Sequence, residues 1–446
     1  MPDPHPPAFP VDLGLPQTRG LTFDRRKSMA DSLPARVSRI VQATPVHDIH
    51  THLYDPAQGE LLLWGIDELL VYHYLVSEAS RQMEVSLERF WSATRQEQAD
   101  WVWKTLFIDH SPVSEACRGV LTTLNQLGLD PRNNDLPRLR TWYAAQKPDR
   151  FIDLVMEKAN LASICMTNSP FDPVERPTWD RGFTRDPRFV AALRIDPLLV
   201  AWPETSDWLR TQGYAVTRDL NPQTLGEVRR FLADWTARID SRYCMVSLPP
   251  SFAWPADSDI ARLIEGAVLP HCRDHGQAFA LMMGVKRAVN PRLRMAGDGV
   301  GCADLGALQA LCAAHPENRF LVTCLARENQ HELVVLARKF PNLHPFGCWW
   351  FTNTPQLIRE ITTMRLELLG TSFTPQHSDA RVLDQVLYKW QHSRALLIEV
   401  LSEKYAAVAA AGWAVTDAEI QRDVSELLGG GFQRFLSGAR VSADPR

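Results

Sequence analysis

Pro45-Val46-His47-Asp48-Ile49-His50-Thr51-His52-Leu53 reads as a short buried strand that runs into two histidines one residue apart. Side chains alternate along a strand, so His50 and His52 project the same way and can share one cation through neutral imidazole nitrogens. Thr51 between them belongs to the opposite face. Tyr54-Asp55-Pro56-Ala57 then ends the run with turn chemistry, and a strand that gives way at once to a loop is where a parallel α/β barrel keeps its ligands. With 13 His in 446 residues, a His-x-His arises by chance roughly 0.4 times. The spacing therefore needs the rest of the chain to lift it above a pair of structural histidines on a solvated strand end.

Apolar or β-branched runs recur at Ala162 to Met166, Phe189 to Ile195, Tyr243 to Leu248, Phe279 to Val285, Phe320 to Leu325, His344 to Trp349 and Leu368 to Phe373. Most are followed by a longer helix-like stretch. With the first strand they number about eight, which predicts an α/β fold, a closed (β/α)8 TIM-like barrel without free sheet edges. An open doubly wound sheet is the structural alternative, but no Gly-x-Gly-x-x-Gly turn follows the first strand.

Helical patterns at Ile66 to Met83, Leu87 to Ile108 and Pro112 to Leu127 predict a helical insertion after strand one, residues 60–158, on the catalytic face, where it could act as a lid. The domain reading is an N-terminal arm and helix over 1–43, helical from Ser28 to Gln42, and one metal-dependent barrel over 44–446. Arg381 to Tyr405 carries core-packing residues at helical spacing. Thr416-Asp417-Ala418-Glu419 is a capping box, and Gly429-Gly430-Gly431 is a helix stop that lacks the Lys-Ser/Thr of a phosphate loop.

Hydrophobic content of 45%, charged content of 22% and a formal charge of −4 are those of an ordinary globular enzyme and argue against a nucleic-acid or anionic-membrane surface. The eight cysteines are scattered without a Cys-x-x-Cys pair, which suits reduced thiols in the cytoplasm. Met1 to Pro16 has no apolar export segment, and no apolar run approaches the length that spans a bilayer. A small-molecule partner is expected, and a homo-oligomer is left open.

A second cluster, Gln376-His377-Ser378-Asp379-Ala380-Arg381, follows the eighth apolar run. Strands one and eight of a barrel are neighbours, so Asp379 can reach a cation held by His50 and His52. Two imidazoles and one carboxylate leave coordination positions open, the arrangement of a catalytic site. Asp-x-Arg alone is common on surfaces.

These residues resemble the uronate isomerases (glucuronate isomerases) of the amidohydrolase superfamily, as a divergent member, from about Pro45 to Phe435. The matching pieces are Asp48-Ile49-His50-Thr51-His52-Leu53, His73-Tyr74, Cys165-Met166-Thr167, Arg194-Ile195-Asp196-Pro197, Gly284-Val285-Lys286-Arg287, Trp349-Trp350-Phe351 and Asp379-Ala380-Arg381. The resemblance implies that His50, His52 and Asp379 bind one divalent metal, usually zinc, and that His73 and Tyr74 face the substrate from above. It implies that Arg194 meets a sugar acid's carboxylate and that Arg381 stabilises negative charge on substrate oxygens. Trp349 and Trp350 would wall the site. Arg287, cationic and near a strand end, also favours an acidic sugar. Read without the resemblance, His73 and Tyr74 pack in a core, Arg194 forms a structural pair with Asp196, and the tryptophans are core residues.

Departures accompany the matches. The family's strand-five histidine has no counterpart in Ala280-Leu281-Met282-Met283-Gly284, and its paired aspartates in strand two are replaced by Asn168-Ser169. Tyr72 stands where the family has Asp, and no basic residue follows the His-Tyr pair in Leu75-Val76-Ser77. Thr374 to Ser378 look like extra residues that bring His377 close enough to be an alternative ligand. The activity implied is aldose–ketose isomerisation of a uronic acid such as glucuronate or galacturonate. The alternatives are a metal-dependent hydrolase of the same superfamily and a sugar-acid binding protein without turnover.

Overall fold

The computed structural model describes residues 32–438 apart from 134; residues 1–31 of the expected N-terminal arm, and 439–446, lie outside the described residues. Strands form at β1 (Val46–Thr51), β2 (Leu161–Asn168), β3 (Phe189–Arg194), β4 (Ser241–Leu248), β5 (Ala278–Met283), β6 (Val285–Lys286), β7 (Gly299–Val300), β8 (Arg319–Cys324) and β9 (Leu343–Pro345). Seven of them pair in the parallel order β1-β2-β3-β4-β5-β8-β9, while β6 and β7 make a small antiparallel ribbon at the end of β5. β5 is buried at every position, as befits a parallel strand covered on both faces. Helices such as Pro148–Ala159, Pro222–Ile239, Leu305–Ala314 and Gln385–Ala410 alternate with the strands. Ile49, Cys165, Ala192, Tyr243, Ala280, Met282, Leu321 and Phe346 fill the inside of the curl as one cluster. The architecture is the expected α/β barrel.

The eighth stave is not the expected one. Leu368 and Leu369 end the helix Pro355–Leu369, where Leu369 packs on the outer core, and Gly370 at φ +62° stops it. The irregular run Thr374–Ala380 closes the barrel instead. On one side the Thr374 amide donates to Pro345 O (3.0 Å) and the Gly347 amide to Thr374 O (2.8 Å). On the other, the Asp379 amide donates to His50 O (3.1 Å) and the His52 amide to Ala380 O (2.8 Å). The run Thr-Pro-Gln-His-Ser-Asp has little strand propensity, so its extended path is imposed by neighbours on both flanks.

Between β1 and β2 the helical pattern of Ile66 to Met83 divides into Ile66–Leu70 and His73–Ala79. Tyr72, with extended backbone, caps the second piece, and the break sets His73 over the barrel mouth. At the other end of the barrel, the glycine run stops the helix Asp417–Ser425 within one turn and the chain resumes as Gly431–Ser437. Phe432 from that last helix enters the lumen and meets the Tyr243 ring edge-on at 5.8 Å. Gly429 lies at φ +124° against β1, where a Cβ would sit 2.6 Å from His47 Cβ and 3.0 Å from its carbonyl oxygen. Gly429→Ala should therefore cost about 2–4 kcal/mol through strain and overpacking, read as a lowered denaturant midpoint. An unchanged midpoint would show that this backbone approach is not tight.

Candidate metal centre

Strand β1 does not alternate evenly. Asp48 reaches outward, accepting a hydrogen bond from Trp390 Nε1 (2.8 Å) on the helix Gln385–Ala410. His50, two residues later, reaches inward to Tyr243 Oη (3.3 Å), although even alternation would send both the same way. The pairing of β1 with β2 shifts register between Asp48 and Thr51, and such an irregularity re-aims side chains beside a site. Beyond the shift His50 and His52 share a face, their ring centres 5.4 Å apart.

Asp379 meets them from the closing run. Its Oδ1 lies 3.7 Å from His50 Nε2 and 3.3 Å from His52 Nε2. The three ligand atoms fall within 4.8 Å of one another, the one such group of His, Cys, Asp or Glu found among the described residues. His50 Nε2 and Asp379 Oδ1 are buried and have no hydrogen-bond partner. Bonds of 2.0–2.1 Å at tetrahedral angles separate ligand atoms by roughly 3.3 Å, so the observed spacing fits a divalent cation between them.

The protonation of both rings follows from their far sides. Tyr243 has one hydroxyl proton and donates it to Ile49 O (2.8 Å), so its oxygen accepts from His50 Nδ1. Thr167 likewise donates to Thr51 O (2.9 Å) and faces His52 Nδ1 at 3.0 Å. A carbonyl cannot donate in return, so each Nδ1 carries the hydrogen and each Nε2 keeps its lone pair. Burial, the largest cause, pushes the His50 imidazole down to about 3 and that of His52 well below its ordinary value. Both rings are neutral, as a ligand requires.

Asp48 steadies the third member of the group. Its Oδ1 accepts from the Ser378 amide (3.1 Å), one residue before Asp379, whose backbone lies in the left-handed region at φ +52°. An aspartate there stores strain that flanking bonds must hold. Burial raises the Asp48 carboxyl to about 6.

A cavity opens above these atoms, lined by His52, His73, Arg194, Arg287, Trp349, Trp350, Asp379 and Arg381 together with Met245, Ser247 and Met282. Arg194 makes a two-point pair with Asp196 (3.0 and 3.1 Å) while still facing the cavity; the Asp196 carboxylate holds its guanidinium firmly charged. Arg287 pairs with Asp298 at 2.6 Å. The Arg381 side chain makes no hydrogen bond or ion pair among the described residues. Tyr74 stands behind this wall, its ring parallel to Trp350 at 6.4 Å, and does not line the cavity. His377 is buried 5.2 Å from the His50 ring with both nitrogens unpartnered. It lies against Gly347, where a Cβ would fall 1.8 Å from His377 Nδ1, and it is outside the three-atom group. Tyr243, Thr167 and the anchoring role of Asp48 went unread in the sequence, since no local spacing ties β2 and β4 to the β1 histidines.

No family model and no curated protein matches the chain. Among solved structures it is similar to a uronate isomerase from Bacillus halodurans, at 50% identity over 94% of this chain and 98% of that one, with a TM-score of 0.90. A glucuronate isomerase from Caulobacter crescentus (15% identity, 93% and 95% covered, TM-score 0.75) and a uronate isomerase from Thermotoga maritima (14%, 91% and 97%, TM-score 0.74) share the fold.

Thr167→Val and Tyr243→Phe keep size and remove the acceptor behind each ring. Each should weaken zinc binding roughly 10- to 100-fold in chelator competition with the fold intact by circular dichroism. Unchanged affinity in both would mean the hydroxyls do not set the imidazoles.

Proposed function

The chain belongs to the uronate isomerase family of the amidohydrolase superfamily, and on that premise we propose that it is a metal-dependent aldose–ketose isomerase of hexuronic acids such as glucuronate or galacturonate. The observation that carries this reading is the convergence of three lone-pair atoms, on His50, His52 and Asp379, beneath a cavity walled by Arg194, Arg287 and Arg381. Three guanidinium groups around so small a space, two of them oriented by Asp196 and Asp298, offer charge-assisted donors that suit a substrate carboxylate, which favours a sugar acid over the neutral amide or ester of a hydrolase.

His50, His52 and Asp379 would hold one divalent cation, and two imidazoles with one carboxylate suit zinc. When bound, that ion supplies Lewis-acid polarisation to a substrate carbonyl. Arg194, already oriented by Asp196, would take the substrate carboxylate through its cavity-facing edge. Asp379 Oδ2, which accepts no hydrogen bond among the described residues, is the base placed to move a proton between C2 and C1 of the open-chain sugar. Arg381, whose side chain makes no direct ion pair among the described residues, would stabilise the enediolate oxygen. His73, Trp349 and Trp350 would exclude water from the reacting carbons, with Tyr74 supporting Trp350 from behind. The eight free cysteines suit a reducing cytoplasm.

Purified protein incubated with glucuronate or galacturonate should form the corresponding ketose, lose that activity to a chelator and regain it with zinc. No ketose from either acid would refute the reading. Arg194→Met should raise KM roughly 10- to 100-fold through loss of one charge-assisted contact, measured by steady-state kinetics. An unchanged KM would move carboxylate recognition to Arg287 or Arg381.

A further inference from the structure

The cavity over the metal ligands has about 20 Å³ open to water centres, room for one or two water molecules. A neighbouring cavity has about 380 Å³ by the same measure, within the range that holds a small ligand. His73 and Trp350 belong to the walls of both, so these two side chains partition one space from the other. Trp350 stands at φ +47°, an uncommon backbone for an aromatic residue.

The larger cavity contains an unmatched cation. Lys389 is buried, at 5% exposure, and lines this space with its Nζ 5.5 Å from the centre of the Tyr74 ring and 5.4 Å from that of Tyr388. It makes no hydrogen bond or ion pair among the described residues. The carboxylates facing the same space are engaged elsewhere: Glu78 accepts from Ser114 (2.6 Å), Glu115 pairs with His392 and Arg118 (2.7 Å each), and Asp298 pairs with Arg287. Burial lowers the Lys389 ammonium to about 8, outweighing the opposing pull of the Asp379, Glu115 and Asp48 carboxylates, none of which pairs with it directly. Phe351 and Arg81, both exposed, stand at the rim.

We propose that this cavity is an anteroom for the sugar acid, in which Lys389 holds the carboxylate and the Tyr74, Trp350 and Tyr388 faces hold the carbon chain before it passes the His73–Trp350 partition. The inference rests on the isomerase reading above for its choice of acid. Cation and aromatic faces together match an open-chain polyhydroxy acid, whose carboxylate takes a charge-assisted bond and whose C–H edges pack on rings. The closed cavity beside the ligand atoms is too small for a hexuronate, so an acid reaching it must move part of its wall, and this partition is the part that another ligand-sized space adjoins.

The test uses metal-loaded protein and D-gluconate, an open-chain acid with no carbonyl to isomerise, with uncharged D-glucitol as control. Calorimetry should give at least tenfold weaker gluconate binding in Lys389→Met, near-normal binding in Lys389→Arg, and no measurable glucitol binding to any form. Metal content and thermal midpoint, measured in parallel, should not change. Should the Met variant fail to fold, reductive methylation of unsubstituted protein serves: gluconate, and not glucitol, should slow modification of Lys389, read by peptide mass. Equal gluconate affinity with and without the Lys389 charge, or methylation indifferent to gluconate, overturns the proposal even if uronates turn over. Lys389-dependent binding without any turnover overturns the isomerase reading and leaves this site standing.

Discussion

Two hydroxyl groups, those of Tyr243 and Thr167, determine what the β1 histidines can do. Each has a single proton, and each donates it to a carbonyl of the strand that carries the histidines, Ile49 O and Thr51 O. Each is thereby left as an acceptor for an imidazole Nδ1–H, and both Nε2 lone pairs point into the barrel mouth. Without those acceptors a buried imidazole could place its hydrogen on either nitrogen, and the site would lose its fixed charge pattern. The bonds also tie β1 to β2 and β4, so the barrel's lateral packing and the ligand geometry are one construction.

The same economy joins closure of the barrel to the third candidate ligand, Asp379. Thr374–Ala380 has no ladder of its own, yet it bridges β9 and β1 through backbone bonds at both ends. Asp48 grips Ser378 and Trp390 at once, fastening the closing run to the long helix outside it. Asp379 can then hold a left-handed backbone because its flanking residues have no freedom to relax it. A register shift in β1 is what lets Asp48 serve the outside and His50 the inside.

His50, His52 and Asp379 were readable from the chain because strand alternation places the two histidines together and barrel closure sets the last stave beside the first, which needs only an approximate strand count. The supporting hydroxyls were not, since no rule of strand order singles out Tyr243 on β4 or Thr167 on β2 as the side chain that meets an imidazole of β1. The final stave departs from the expected one because tertiary contacts, not local pattern, shape it. Leu368 and Leu369 look like strand residues in isolation but extend the apolar stripe of a helix, whereas the true closing run owes its shape to tertiary hydrogen bonds that override local propensity. Lys389 was hidden in a pattern of core residues on a long helix, where a lone charge reads as solvent-facing.

The cations around the mouth are graded by their partners. Arg194 and Arg287 are braced by Asp196 and Asp298, which fixes their orientation, while the Arg381 side chain has no such partner among the described residues and, on the proposed reading, would follow charge on a reacting molecule. Chemistry of that kind has meaning only if an ion sits where the three lone pairs meet. Anomalous diffraction at the zinc edge, on crystals grown with zinc, asks this directly. One peak is expected about 2.0–2.2 Å from His50 Nε2, His52 Nε2 and an Asp379 oxygen; zinc bound elsewhere, or coordinated by an imidazole Nδ1, would show that these three lone pairs do not hold the ion.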